Sequence, residues 1–189
     1  FIFIFYLKIL YIYMPKFLLF LILIIFILFF RSLLKVSRNL YDLIKHQIIG
    51  SYNEIIPNLW IGDYYSSINR NFLLENNIKT IINCSKNLKF VDLKNLNKLR
   101  IPIDDNRSNE SNEKMLEYFQ KFYDIIDLSL KNNEGVLVHC RMGCQRSATL
   151  IALYLMKKNN INFKQARKII RSKRYFALYP FINFHKILL

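Results

Sequence analysis

One stretch restricts the fold more than any other. Val136-Leu137-Val138 leads into a polar loop carrying Gly143, and residues 147–156 follow as a stretch of ten in which only Ser147 and Thr149 interrupt apolar residues and Tyr154. The short run after Gly135 reads as a buried strand, and the longer one, apolar on nearly all sides, as a central helix. A buried strand turning tightly into a buried helix calls for cover on both faces of a sheet, which is an α/β arrangement. Cys140 then falls at the strand's carboxyl end, where open α/β sheets bind ligands.

The surrounding segments agree. Residues 55–62 read as a short strand entering a turn. Ser66 or Ser67 can cap a helix that runs to about Glu75, where Asn76-Asn77 stops it. Residues 80–84 read as a second buried strand, and residues 99–103 as a third, interrupted by Pro102; residues 106–111 form a polar loop. Met115, Phe119, Phe122 and Ile126 recur at spacings of four, three and four, which predicts an amphipathic helix over 112–131. Residues 163–174 predict a basic amphipathic helix, and Pro180 opens a last short helix. The expected fold is α/β, with a central, mostly parallel sheet flanked by helices and an apolar helix ahead of it.

The loop His139-Cys140-Arg141-Met142-Gly143-Cys144-Gln145-Arg146-Ser147 has the parts that phosphate chemistry needs. Hydrolysis of a phosphate monoester without a metal requires a strong nucleophile, neutralisation of about two negative charges and a proton for the leaving oxygen. Cys140 precedes a helix N-terminus, whose positive end and loop N–H groups favour a thiolate titrating below the free value of ~8.5. The loop from Arg141 to Arg146 is long enough to curl its N–H groups toward one point as an anion nest, and Gly143 permits the close backbone approach. The planar fork of Arg146 can hold two phosphoryl oxygens at once. Ser147 is placed to hydrogen-bond the sulfur and help it leave. Asp104 and Asp105 are adjacent candidates for the general acid; neighbouring side chains in an extended segment point to opposite sides, so one of them faces the site. His139 is expected to orient the loop and favour the thiolate, and Arg141 to face the pocket mouth.

The stretch 136–149 closely resembles the signature of dual-specificity protein phosphatases, in the protein tyrosine phosphatase superfamily. The likeness continues in Ile56-Pro57-Asn58-Leu59-Trp60-Ile61-Gly62, in Ile81-Ile82-Asn83-Cys84-Ser85, in Ile101-Pro102-Ile103-Asp104-Asp105-Asn106 and in Ala152-Leu153-Tyr154-Leu155-Met156. It covers about residues 53–189. Met142 departs from the family's usual Ala, Cys144 is unusual within the loop, and about four extra residues lie between the acid loop and Cys140. The resemblance implies a catalytic set of Cys140, Arg146, Asp105 and Ser147, with His139, Arg141, Met142, Gly143, Cys144 and Gln145 in the phosphate-binding loop. It favours Asp105 over Asp104 as the acid. It also implies hydrolysis of phosphotyrosine and phosphoserine/threonine in phosphoprotein substrates through a phosphocysteine, without metal or other cofactor. A membrane-associated phospholipid phosphatase of the same chemistry is one alternative, and a catalytically silent phosphate-binding adaptor is another.

Residues 1–34 form a different kind of segment. Residues 17–30 are an uninterrupted apolar run of fourteen, and residues 9–13 extend it backward across Met14-Pro15-Lys16. The run is short of the ~20 residues that span hydrocarbon, but with its extension it reads as a membrane anchor, with a signal segment as the alternative. Arg31, Lys35, Arg38 and Lys45 follow it and only Lys8 and Lys16 precede it, which places the catalytic part in the cytosol. Residues 35–52, with Val36, Leu40, Leu43 and Ile44 at helical spacing, read as a basic amphipathic linker. The net charge is +15, and after Glu134 come eleven Lys and Arg residues and no acid. That half favours acidic or phosphorylated partners; no nucleic-acid partner is expected. The three cysteines (Cys84, Cys140 and Cys144) and three scattered histidines give no disulfide framework and no zinc spacing, and a reducing compartment fits them. Cys84 and Cys144 are candidates to trap an oxidised Cys140 as a disulfide.

Overall fold

The computed structural model describes residues 16–189, the side chains of residues 16, 17, 19 and 38–49 lying outside the description. The chain divides into a first unit ending at Lys45 and a second, His46–Leu189.

The first unit carries helix α1 (Lys16–Ile49), whose last turn enters the second. The helix is continuous where the sequence suggested a change of segment after residue 34. Within it, Phe20–Ser37 is strongly apolar and none of it is buried. The backward extension over residues 9–13 falls outside the described residues, as do most side chains of the proposed amphipathic stripe at Val36, Leu40, Leu43 and Ile44.

The second unit is built on a five-stranded sheet in the order β1-β2-β5-β3-β4. Its strands are β1 (Tyr52–Ile56), β2 (Leu59–Gly62), β3 (Ile78–Asn83), β4 (Asn97–Arg100) and β5 (Gly135–His139). Only β1 runs antiparallel to its neighbour. Residues 55–62, read as a short strand entering a turn, hold the end of β1, the turn and the whole of β2: Asn58 takes a left-handed φ of 64° and turns the chain, while its N–H bonds the Glu54 carboxylate at 2.9 Å. β4, expected over residues 99–103, ends at Arg100, ahead of Pro102, which cannot donate to a ladder.

The helices are α2 (Tyr64–Ile68), α3 (Arg70–Glu75), α4 (Asn109–Lys131), α5 (Arg146–Asn159), α6 (Phe163–Lys173) and α7 (His185–Leu188). The expected single helix up to Glu75 is two. Asp63 caps the first by accepting from Ser66 N at 2.9 Å, and Asn69 caps the second by accepting from Phe72 N at 3.1 Å. Ser66 lies inside α2, its hydroxyl turned back to the Asp63 carbonyl. α4 begins at Asn109, earlier than the pattern suggested, because Ser108 accepts from Ser111 N and starts it. Pro180 does not open a helix; it follows a cis peptide bond, and helix returns only at His185.

Strand alternation divides the core. Val136 and Val138 of β5 pack with Ile82, Met115, Phe119 and the apolar body of α5, whose residues from Ser147 to Leu155 are all buried. Leu137 faces the other way, onto Phe72, Leu73, Ile81 and Val91. The sheet is therefore covered on both sides, and β5, at its centre, is apolar throughout. Gly62 and Asn83 both stand in register with His139, so three strands end together beneath the residue that precedes Cys140.

Candidate active site

β5 delivers His139, the loop turns, and α5 begins at Arg146. Gly143 has a φ of 64°, and a side chain there would meet the Gly62 carbonyl oxygen at 2.6 Å and Arg174 Nη2 at 2.8 Å. Both facts restrict this position to glycine. The turn points the Gly143 N–H at the Cys140 Sγ, 3.2 Å away. The Ser147 hydroxyl lies 3.3 Å from the same sulfur.

Arg146 stands at the mouth with its side chain 12% exposed, its Nε 3.4 Å from Asp105 Oδ2 in an ion pair rather than an aligned hydrogen bond. Its Nη1 reaches the Ile103 carbonyl at 3.5 Å. Adjacent Asp104 goes elsewhere, to Lys86 at 2.6 Å. The two carboxylates thus separate as an extended segment requires, with Asp105 on the side of Cys140.

Burial alone would push the Cys140 thiol up. The Arg146 guanidinium and hydrogen bonds from the Ser147 side chain and backbone outweigh burial and the opposing Asp105 charge, and hold the thiol below its ordinary range. Cys84 goes the other way: it is fully buried, and burial first, then the Cys140 charge, push its thiol well up. Its backbone N–H bonds the His139 carbonyl at 2.7 Å. The Cys144 thiol donates to the Met142 carbonyl at 3.3 Å.

His139 differs from expectation. Burial, with Arg100 and Arg146 nearby, pushes its imidazole down to about 3, so it is neutral, despite some support from the Cys140 backbone. Neither ring nitrogen makes a well-formed hydrogen bond. It cannot favour the thiolate through charge. Arg141 is exposed, as expected, while its carbonyl accepts from Tyr64 N at 3.2 Å.

Three supporting interactions escaped the sequence reading. Arg174, 1% exposed, donates from Nε to the Gly143 carbonyl at 2.8 Å, from Nη2 to the Met142 carbonyl at 2.9 Å and from Nη1 to Asn53 Oδ1 at 2.7 Å. Gln145 uses its side chain not as a helix cap but as a clamp, donating to the Phe181 carbonyl at 2.7 Å and accepting from Asn183 N at 3.2 Å. The Asn183 side-chain amide donates to Asp105 Oδ1 at 2.8 Å. A signal for Arg174 did exist: it continues the buried stripe Phe163, Ala166 and Ile170 of α6 at a spacing of four.

Among the described residues no three His, Cys, Asp or Glu side chains gather as a metal site. What the geometry offers is a sulfur biased toward thiolate, a turned N–H beside it, a guanidinium at the mouth and a carboxyl at the rim.

Residues 59–189 match the family model described as the dual specificity phosphatase catalytic domain. The chain is 34% identical over 128 residues to dual specificity protein phosphatase 1B of Arabidopsis thaliana, covering 68% of this chain and 74% of that protein. It is 31% identical over 131 residues to human dual specificity protein phosphatase 16, covering 69% of this chain but 19% of that much longer protein. The crystal structure of human DUSP28 superposes with a TM-score of 0.65 at 19% identity, over 72% of this chain and 89% of the other, which shows the shared fold. The human tyrosine phosphatase-like serine/threonine/tyrosine-interacting protein gives 0.64 at 25% identity, over 73% and 93%. Neither the phospholipid-phosphatase alternative nor the silent-adaptor alternative is supported by these comparisons. The family match over most of the chain, together with the plant relative, places it in the dual-specificity phosphatase family, and it is a protein phosphatase.

Proposed function

We propose that this chain removes phosphate from tyrosine and from serine or threonine in proteins, with Cys140 as the nucleophile. The single observation behind the assignment is the sulfur's setting: buried, approached by the Gly143 N–H at 3.2 Å and the Ser147 hydroxyl at 3.3 Å, and biased toward thiolate by Arg146.

Two displacements follow. The phosphoryl group enters with its oxygens on the Arg146 fork and the loop N–H groups, taking Arg146 from Asp105. The Cys140 thiolate attacks phosphorus, the S–P bond forms and the bond to the leaving oxygen breaks, while Asp105 gives that oxygen its proton. Water then attacks phosphorus and passes a proton to Asp105, the S–P bond breaks and inorganic phosphate leaves. Ser147 steadies the departing sulfur by hydrogen bonding.

The test is the full chain in detergent with EDTA, assayed on phosphotyrosine and phosphothreonine peptides beside the Cys140→Ser variant. Both peptides should turn over with the parent chain, and neither with the variant; residual variant activity sinks the nucleophile assignment.

α1 serves as a membrane anchor, with the phosphatase domain on the cytosolic side. Its apolar, exposed window Phe20–Ser37 and the basic residues Arg31, Lys35, Arg38 and Lys45 support this. Residues 1–34 carry the anchor, 35–52 the linker and 53–189 the catalytic domain. The basic half after Glu134 favours acidic or phosphorylated protein partners. Extraction by alkaline carbonate from cell membranes would contradict anchoring, and protease resistance of the domain in sealed vesicles whose cytosolic face is outward would contradict the orientation.

A further inference from the structure

We infer that Asn183 is a positioning residue for Asp105, fixing which carboxyl oxygen carries the proton delivered to the leaving group. The inference rests on reading Asp105 as the general acid.

Asp105 has two oxygens with two different partners. Oδ1 accepts from the Asn183 side-chain amide at 2.8 Å, and Oδ2 faces Arg146 Nε at 3.4 Å. An amide N–H donates and so requires a free lone pair on the oxygen it meets. A carbonyl oxygen accepts from that amide better than a hydroxyl oxygen does, so once the phosphoryl group has drawn Arg146 away the acidic proton is placed on Oδ2, the oxygen turned toward the phosphoryl group that Arg146 binds. When that group takes over the guanidinium, Asp105 loses its ion pair but keeps Asn183. The carboxyl stays at the rim instead of swinging into solvent, to which its side chain is already 35% exposed.

Asn183 is itself held. Its backbone N–H donates to Gln145 Oε1 at 3.2 Å, and Gln145 Nε2 donates to the Phe181 carbonyl at 2.7 Å. Gln145 immediately precedes Arg146, so one side chain sets the acid's brace by the same turn that places the phosphate clamp. Buried Phe184 next to Asn183 fixes the segment in the core. The acid loop and the phosphate loop are thereby joined through residues 181–183, at a sequence distance of 78 from Asp105 to Asn183.

Poor leaving groups need a protonated partner more than good ones, so two substrates separate the roles. The full chain in detergent, Asn183→Ala, Asn183→Leu and Asp105→Asn are compared on a phosphotyrosine peptide, whose phenol titrates near ~10, and on p-nitrophenyl phosphate, whose leaving group is far more acidic. Asn183→Ala should lower kcat/KM, which reports the first displacement alone, by about tenfold on the peptide, a fraction of the ~10²–10⁴ that general acid catalysis supplies, and by no more than about twofold on the nitrophenyl ester. Asn183→Leu keeps the size but removes the donor without adding charge, and should show the same split, which guards against a folding defect in the alanine variant. An equal loss on both substrates, or no loss, overturns the role of Asn183 when Asp105→Asn shows the split. If Asp105→Asn shows none, the acid assignment falls and the inference with it.

Discussion

Arg174 Nε donates to the Gly143 carbonyl at 2.8 Å, joining the end of α6 to the middle of the phosphate loop. A trans peptide sets its C=O and N–H on opposite sides. By drawing the Met142 and Gly143 carbonyls outward, the buried guanidinium turns the N–H groups of Gly143 and Cys144 inward, and the first of these reaches the Cys140 sulfur. Replacing Arg174 with Met leaves two carbonyls and Asn53 without their donor, at a cost of about 3 kcal/mol in stability. Orthovanadate should bind less tightly and the pH at which iodoacetamide alkylates Cys140 should rise. Arg174→Lys, which keeps the charge but not the fork, should recover stability better than vanadate affinity. Unchanged vanadate binding in both variants would show that the loop holds its shape unaided.

Ser147 lies against the sulfur, where a hydroxyl stabilises a departing thiolate. Ser147→Ala should therefore slow dephosphorylation of the enzyme more than its formation. Rapid mixing with p-nitrophenyl phosphate should reveal a burst of nitrophenol followed by a slow steady rate, with phosphocysteine trapped on denaturation. A uniform slowing without a burst would place Ser147 outside the second displacement.

Arg146 opposes burial at Cys140, and in the proposed mechanism it also grips the substrate. Arg146→Ala should move thiolate formation to higher pH and lower kcat/KM by about 10²–10³, the range for loss of a donor to transition-state charge. Arg146→Lys restores charge without the planar fork and should recover alkylation at neutral pH more fully than turnover.

His139 makes stability depend on acidity. Its folded-state value of about 3 lies below the ordinary 6.5, so the unfolded chain binds the proton more readily. Stability is complete above about 6.5 and declines as the pH falls from there toward about 3. His139→Asn should flatten that decline in urea titrations taken across this window, whatever it costs at neutral pH. An unaltered slope would mean that His139 does not contribute to it.

The parts legible in the sequence are those whose cause is local. β5, the loop and α5 are contiguous, so their apolar runs and Gly143 give the place of Cys140 in the fold directly. The stripe Met115, Phe119, Phe122 and Ile126 is buried in α4 as its spacing requires. What was hidden depends on distant pairing. Nothing near Asn183 marks it as a partner of Asp105, and Arg174 stands in a run of basic residues from which only its place on the buried stripe of α6 separates it. The hairpin at Asn58 was masked by apolar residues on both sides of a single turn, and the cap at Asp63 by two serines that match a cap equally well.

Gln145 and Phe181 are 36 residues apart, so the segment that braces Asp105 is synthesised after Cys140 and its loop. Cys140 is made before the side chains that hold its loop and its proton donor. A ribosome therefore carries an unfinished catalyst until residues 181–183 have emerged and folded back.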